Sequence, residues 1–181
     1  MTNSGTDDEF KAQIGDKLNL RSVANWIVML TVFGLEDDIA KNICWATWDG
    51  VKWNAVMYDH DLAWGMIWDG SGLTGADRND ALQSYMNRNK LVSRLIHLHI
   101  IDDLLIDSFN KFSQVHNWPS IQQRFRQYYY WIGESNYLND KALWPKMPGQ
   151  DWMPASYVLD YIRVRMELCA KWFTQNYLAK L

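Results

Sequence analysis

Between Asn42 and Asp59, apolar and polar residues alternate on both sides of an Asp49-Gly50 pair. Asp-Gly flanked by alternating β-branched and aromatic residues is the strongest short-range signal for a β-hairpin. Strands are therefore expected at 43–48 and 51–58, joined by a two-residue turn. Such a turn lays the second strand back beside the first. The residue before one strand and the residue after the other then become neighbours. Here those residues are Asn42 and Asp59, with Asp37 on the loop before Asn42 and Asp61 just beyond Asp59. Oxygen ligands gathered in this way suit Mg²⁺, which binds few carboxylates and fills its shell with water and phosphate.

The rest of the chain is helical in pattern. Ser22–Leu35 is nearly continuous in apolar residues, as a buried helix would be, with Ser22 as a cap and Gly34 as a stop. Residues 81–87, 90–99, 102–112 and 120–132 have helical spacing, and a long helix is expected over 155–178. Residues 1–9 (MTNSGTDDE) are polar and acidic and are expected to form a loose tail. Residues 69–80 are Gly-rich and 139–154 hold three prolines, so both are expected to be irregular. The fold class is α+β, helix-dominated, with one hairpin carrying acidic residues at its ends.

Composition excludes several classes of function. With 181 residues and a net charge of −3, the chain is about one domain and lacks the basic excess of a nucleic-acid binder. The longest apolar stretch, Trp26–Leu35, is ten residues, against the roughly 20 of a membrane-spanning helix. The N-terminus lacks the basic-then-apolar plan of a signal peptide. A soluble protein is expected, with its location left open. The two cysteines, Cys44 and Cys169, are in no metal spacing, and Cys44, beside Trp45 on a strand, is expected to pack in the core. Eleven tryptophans in 181 residues is a surplus, and Trp45, Trp48, Trp53, Trp64 and Trp68 fall around the hairpin. Tyr128-Tyr129-Tyr130-Trp131 places aromatics all round one helical turn. Core packing is the default for that turn, and cover by a partner is the alternative.

The acidic set has a chemical precedent. Protein kinases use D-x-x-x-x-N, whose Asp accepts the substrate proton and whose Asn holds Mg²⁺, followed after a strand pair by a second metal-binding Asp. Asp37 stands five positions before Asn42, and Asp59 follows the hairpin. The plainer alternative is that Asp37 and Asp38 cap local turns while Asp59 and Asp61 bound a loop. His60, between the last two, is placed to orient them. His97 and His99 point to different faces of a helix and are poor joint ligands. Arg163 and Arg165, two apart, are expected to leave at most one of the pair buried.

The segment from Leu20 to Gly65 resembles the CotH kinase family, a divergent protein-kinase-like family. The likeness rests on the buried helix, Glu36-Asp37-Asp38 with Lys41-Asn42, the Trp-rich hairpin, and Tyr58-Asp59-His60-Asp61-Leu62-Ala63-Trp64-Gly65. Asn89-Lys90-Leu91-Val92-Ser93-Arg94-Leu95 and Tyr161-Ile162-Arg163-Val164-Arg165 extend it into the C-terminal half. The resemblance implies a kinase-like C-terminal lobe over 20–181, with 1–19 as lead-in. It implies Asp37 as catalytic Asp, with Asp38 the competing register. It makes Asn42 and Asp59 metal and cofactor ligands and Asp61 a further metal ligand, with Mg²⁺ and ATP as cofactors.

Family members carry an N-terminal lobe that supplies the phosphate-positioning Lys. Only about 20 residues precede the buried helix here, with Lys11 and Lys17 the only lysines among them. An enzyme complemented by such a lobe would transfer phosphate to Ser or Thr of a protein. The alternative is a non-catalytic structural or assembly module, such as a coat or virion component. The expected partner is accordingly a protein substrate or an assembly partner, neither nucleic acid nor membrane, with self-association left open.

Overall fold

A computed structural model describes residues 5–35, 37–60, 63–64, 81–145, 152 and 154–181. Of the expected tail, residues 1–4 lie outside the described residues, and Thr6 to Glu9 begin a helix. Thr6 caps α1 (Asp7–Lys17): its hydroxyl accepts from the Glu9 amide at 3.2 Å, and the Glu9 carboxylate accepts from the Thr6 amide at 2.7 Å. Asp7, Asp8 and Glu9 sit where the helix dipole favours negative charge. One turn on, Phe10 and Ile14 are buried, and Arg94 lies over the Phe10 ring while bonding Asp7 at 3.0 Å. The acidity that read as disorder is a helix N-terminus.

Helix α2 (Leu20–Phe33) is the centre of the core. Eight of its residues, Val23 to Val32 with two gaps, are buried, covering most of its circumference. Its cap is Asn19, which accepts from the Ser22 amide, so the helix begins earlier than Ser22. Gly34 ends it in the left-handed region (φ 65, ψ 38), where a residue without Cβ is unstrained. Strands β1 (Ile43–Ala46) and β2 (Asn54–Met57) pair antiparallel, with Ile43 opposite Met57 and Ala46 opposite Asn54. With α3 (Ala81–Arg88), α4 (Lys90–His97), α5 (Asp102–Val115), α6 (Trp118–Leu143), α7 (Ala155–Trp172) and α8 (Gln175–Leu178), these make an α+β, helix-dominated fold. Helices α5 and α7 and strand β2 pack on α2. No helix among the described residues is long and apolar enough to cross a membrane.

Three expectations need correction. The strands are shorter than 43–48 and 51–58, and residues 47–53 form the connection in place of a two-residue turn. Asp49 organises it: one carboxylate oxygen accepts from the amides of Val51 (2.8 Å) and Lys52 (2.9 Å) and from the Thr47 hydroxyl (2.9 Å). Satisfying donors inside the loop competes with extending the ladder. Cys44 is exposed, because Ile43 and Trp45 take the inward side of β1. Helix α6 runs well past residue 132, through Gly133 (φ 69, ψ 150), where the helical path breaks.

The amides of Lys52 and Val51 and the Thr47 hydroxyl lower the Asp49 pKa from 3.8 to about 2. A depressed carboxylate stabilises its loop fully above pH 3.8, and the effect is lost as the pH falls through about 2. Amide exchange at Val51 and Lys52 is expected to stay slow at pH 4, relative to Asp49→Ala, and to converge with that variant near pH 2. Equal protection in both proteins at pH 4 would contradict this.

Candidate functional site

The hairpin is fixed to the corner between α1 and α2. The Asn19 amide donates to the Trp53 carbonyl at 2.8 Å, and the Trp53 amide donates to the Lys17 carbonyl at 2.9 Å. The Ala55 amide donates to the Ser22 hydroxyl at 3.0 Å, and the Asn19 side chain donates to Asn54 Oδ1 at 2.8 Å. Trp45 meets Trp26 of α2 edge to face at 6.0 Å. Ser22 thus ties the hairpin to the helix it was expected to cap.

At the far end of the hairpin, Asn42 and Asp59 are brought together. The Asn42 side-chain amide donates to the Asp59 carbonyl at 3.0 Å, and the Tyr58 amide donates to the Asn42 carbonyl at 3.3 Å. Asp59 has φ 62, a left-handed conformation rare for a residue with a Cβ. That bend turns the chain away from the strand at this residue. The next side chain, His60, meets Asp38 instead of its sequence neighbours, with Nδ1 2.6 Å from Oδ2. Asp38 is 2% exposed. Asp37 opens the 3-10 turn Asp37–Ile39, whose last carbonyl accepts from the Asn89 side chain at 2.9 Å. Asp61, the Asp37 side chain and Trp68 lie outside the described residues.

The Asp38–His60 pair is absent from the sequence reading, which set His60 between Asp59 and Asp61. Only the Asp59 bend reveals it. On the outward face of the hairpin, Cys44 and Val56 are direct cross-strand neighbours and both are exposed. They form an apolar surface leading from the Asn42–Asp59 end. On the other face, a groove of about 590 Å³ runs between the hairpin and the α1 and α4 ends, lined by Ile14, Leu18, Ile39, Ile43, Trp45 and Trp53, among others.

Among the described residues, no three His, Cys, Asp or Glu side chains stand close enough to hold an ion together. The chemistry of the Asn42 and Asp59 oxygens nonetheless fits Mg²⁺, which needs only one or two carboxylates when substrate phosphates complete its shell. His99 pairs with Asp102 at 2.7 Å and His97 bonds within its own helix, so neither joins the site.

The chain is thus a helix-dominated α+β fold whose hairpin brings Asn42 and Asp59 together at one end. The family model for CotH kinase protein matches residues 1–167, and the chain belongs to that family. No curated protein and no solved structure matches it.

Proposed function

We propose that the chain is the C-terminal lobe of a CotH-type kinase that, complemented by an N-terminal lobe, transfers phosphate from Mg·ATP to Ser or Thr of a protein. The observation carrying this is the contact of the Asn42 side chain with the Asp59 carbonyl across the hairpin, which sets side by side the two residue types that hold the metal in phosphoryl transfer. Mg²⁺, when bound, neutralises charge on the transferring phosphoryl group. Asn42 and Asp59 would hold it, with Asp61 as a further ligand. Asp37 orients the attacking hydroxyl and accepts its proton. The exposed Cys44–Val56 surface offers a flat apolar floor for the nucleotide base.

Asp38 is a positioning residue under this reading. Its carboxylate holds His60, and through it the Asp59 bend. Transfer of labelled γ-phosphate to acid-stable Ser or Thr esters tests the proposal. Asp59→Ala is expected to lower the rate about 10²–10³-fold. An undiminished rate would remove Asp59 from the site. Transfer undetectable in both proteins, with no Mg·ATP bound by either, would favour the second reading, a non-catalytic assembly module. The exposed aromatics of α6 are the observation on that side.

A further inference from the structure

The two long edges of the hairpin have different surroundings. The Tyr58 amide donates to the Asn42 carbonyl, so in this register the hydrogen-bonded pairs are Asn42–Tyr58, Cys44–Val56 and Ala46–Asn54. The backbone groups of the residues between them point outward from the ladder. On the β2 side the corner between α1 and α2 takes them: the Trp53 amide and carbonyl bond Lys17 and Asn19, and the Ala55 amide bonds Ser22. On β1 only the Ile43 amide is used, by the Lys41 carbonyl just before it. The Trp45 amide and the Ile43 and Trp45 carbonyls have no hydrogen-bond partner among the described residues. The strand is not sealed in, since Cys44 is exposed and Ile43, Trp45 and Ala46 are half-buried. An open strand edge is a template for another strand.

What lies beside that edge says which strand fits. Side chains of an added strand alternate between the two faces of the sheet, as those of β1 do. Every second one stands beside Ile43 and Trp45, which line the groove of about 590 Å³. The groove is walled by apolar side chains, Ile14, Leu18 and Trp53 among them, and Trp53 is 39% exposed. Its charged lining is of one sign: Lys17 from the end of α1, and Arg88 and Lys90 from the α3–α4 junction. No carboxylate is among the described residues that line it, and Lys17 and Lys90 make no ion pair among the described residues. A basic segment would be repelled, and a wholly apolar one would leave these cations unpaired. The segment that suits the site is extended, with two alternate apolar residues and acidic residues flanking them. Laid antiparallel, its two groove-facing residues donate their amides to the Ile43 and Trp45 carbonyls, and one of them accepts from the Trp45 amide.

We propose that the outer edge of β1 takes an extended segment of a partner protein as a third strand, its alternate apolar side chains in the groove and its acidic flanks on Lys17, Arg88 and Lys90. Fluorescence anisotropy with a labelled peptide, a Val-Thr-Val centre with Glu-Asp flanks, tests this, with exchange of the Trp45 backbone amide as the structural readout. Saturable binding is expected with a Kd of about 1–100 µM. The Trp45 amide is expected to exchange freely in the chain alone and to slow at least about tenfold with the peptide bound. Methylating the two valine nitrogens removes both donors to the edge and should abolish binding. A peptide with lysine flanks should not bind. Lys17→Glu/Lys90→Glu, with an unchanged far-UV circular dichroism spectrum, should weaken the acidic peptide at least about tenfold and let the lysine-flanked one bind. Failure of the acidic peptide to bind overturns the proposal. So does binding that survives the methyl groups or leaves Trp45 exchange unchanged, which would put the peptide in the groove without pairing. Protection of Trp45 in the chain alone would give the edge to another copy or to the chain itself, and overturns it too. No nucleotide or metal enters the assay, so the outcome is independent of whether the chain handles phosphate.

Discussion

Asp37→Asn is expected to lower phosphoryl transfer by about 10²–10⁴-fold, the range for losing a positioned general base. Binding of Mg·ATP should be nearly unchanged, because the role proposed for Asp37 is on the attacking hydroxyl and not on the nucleotide. Asp38→Asn provides the contrast. Asp38 is buried and holds His60 at 2.6 Å, so it has no free oxygen face toward a substrate. Its loss is expected to lower the melting temperature and to weaken transfer only through displacement of Asp59. The sequence leaves two registers for the catalytic Asp, and this pair of variants separates them. A larger rate loss in Asp38→Asn than in Asp37→Asn, at equal stability, would reverse the assignment.

Arg165→Ala is expected to be the most destabilising single change in the helical core. Arg165 is 2% exposed, and its Nε donates to the Thr31 carbonyl at 2.6 Å. Its guanidinium lies over Trp172 at 4.9 Å, and it also bonds the Tyr85 hydroxyl, which itself donates to the Leu30 carbonyl. Thr31 is in the last turn of α2, where the dipole favours a cation and the Gly34 and Leu35 amides both donate to the Leu30 carbonyl instead of to the Thr31 carbonyl. One buried guanidinium thus joins α7, α3 and the end of α2 with no carboxylate partner among the described residues. Alanine would leave a cavity and strand a buried carbonyl, at a cost of about 3–5 kcal/mol. Lysine restores the charge but not the planar contact with Trp172, and should recover only part of that loss. Urea denaturation of the two variants checks this. A cost under about 1 kcal/mol for alanine would show that the α2 carbonyls find other donors. Cys169, one turn along α7, is also buried, and burial pushes its thiol up to about 12, so it serves as packing only.

Much of the fold is legible in the sequence, for identifiable reasons. The apolar run before Gly34 and the glycine itself mark α2 and its end, because burial on all sides and a left-handed cap leave strong local signals. The alternation around Asp49-Gly50 locates the hairpin and hence the meeting of Asn42 and Asp59. The turn type is not legible, because Asp49 gathers the Thr47, Val51 and Lys52 donors and opens the loop to residues 47–53. The exposure of Cys44 follows from the side on which Trp45 meets Trp26, and strand alternation alone does not set that side. The two arginines divide as spacing requires: Arg165 is buried, while Arg163 pairs with Glu167 in solvent at 2.9 Å. Tyr128, Tyr130 and Trp131 contradict the default of core packing, since only Tyr129 of that turn faces inward. The Asp38–His60 contact depends on the left-handed backbone at Asp59, which no residue type announces.

A metal–phosphate site at the Asn42–Asp59 end of the hairpin is the core of the proposed function. Calorimetric titration of Mg·ATP into the chain and into Asp59→Ala tests it most directly, with ATP in excess EDTA as the control. Saturable binding to the wild-type chain is expected, requiring the metal and lost in Asp59→Ala while the fold persists. Binding of equal strength to Asp59→Ala, or to ATP without metal, would contradict it.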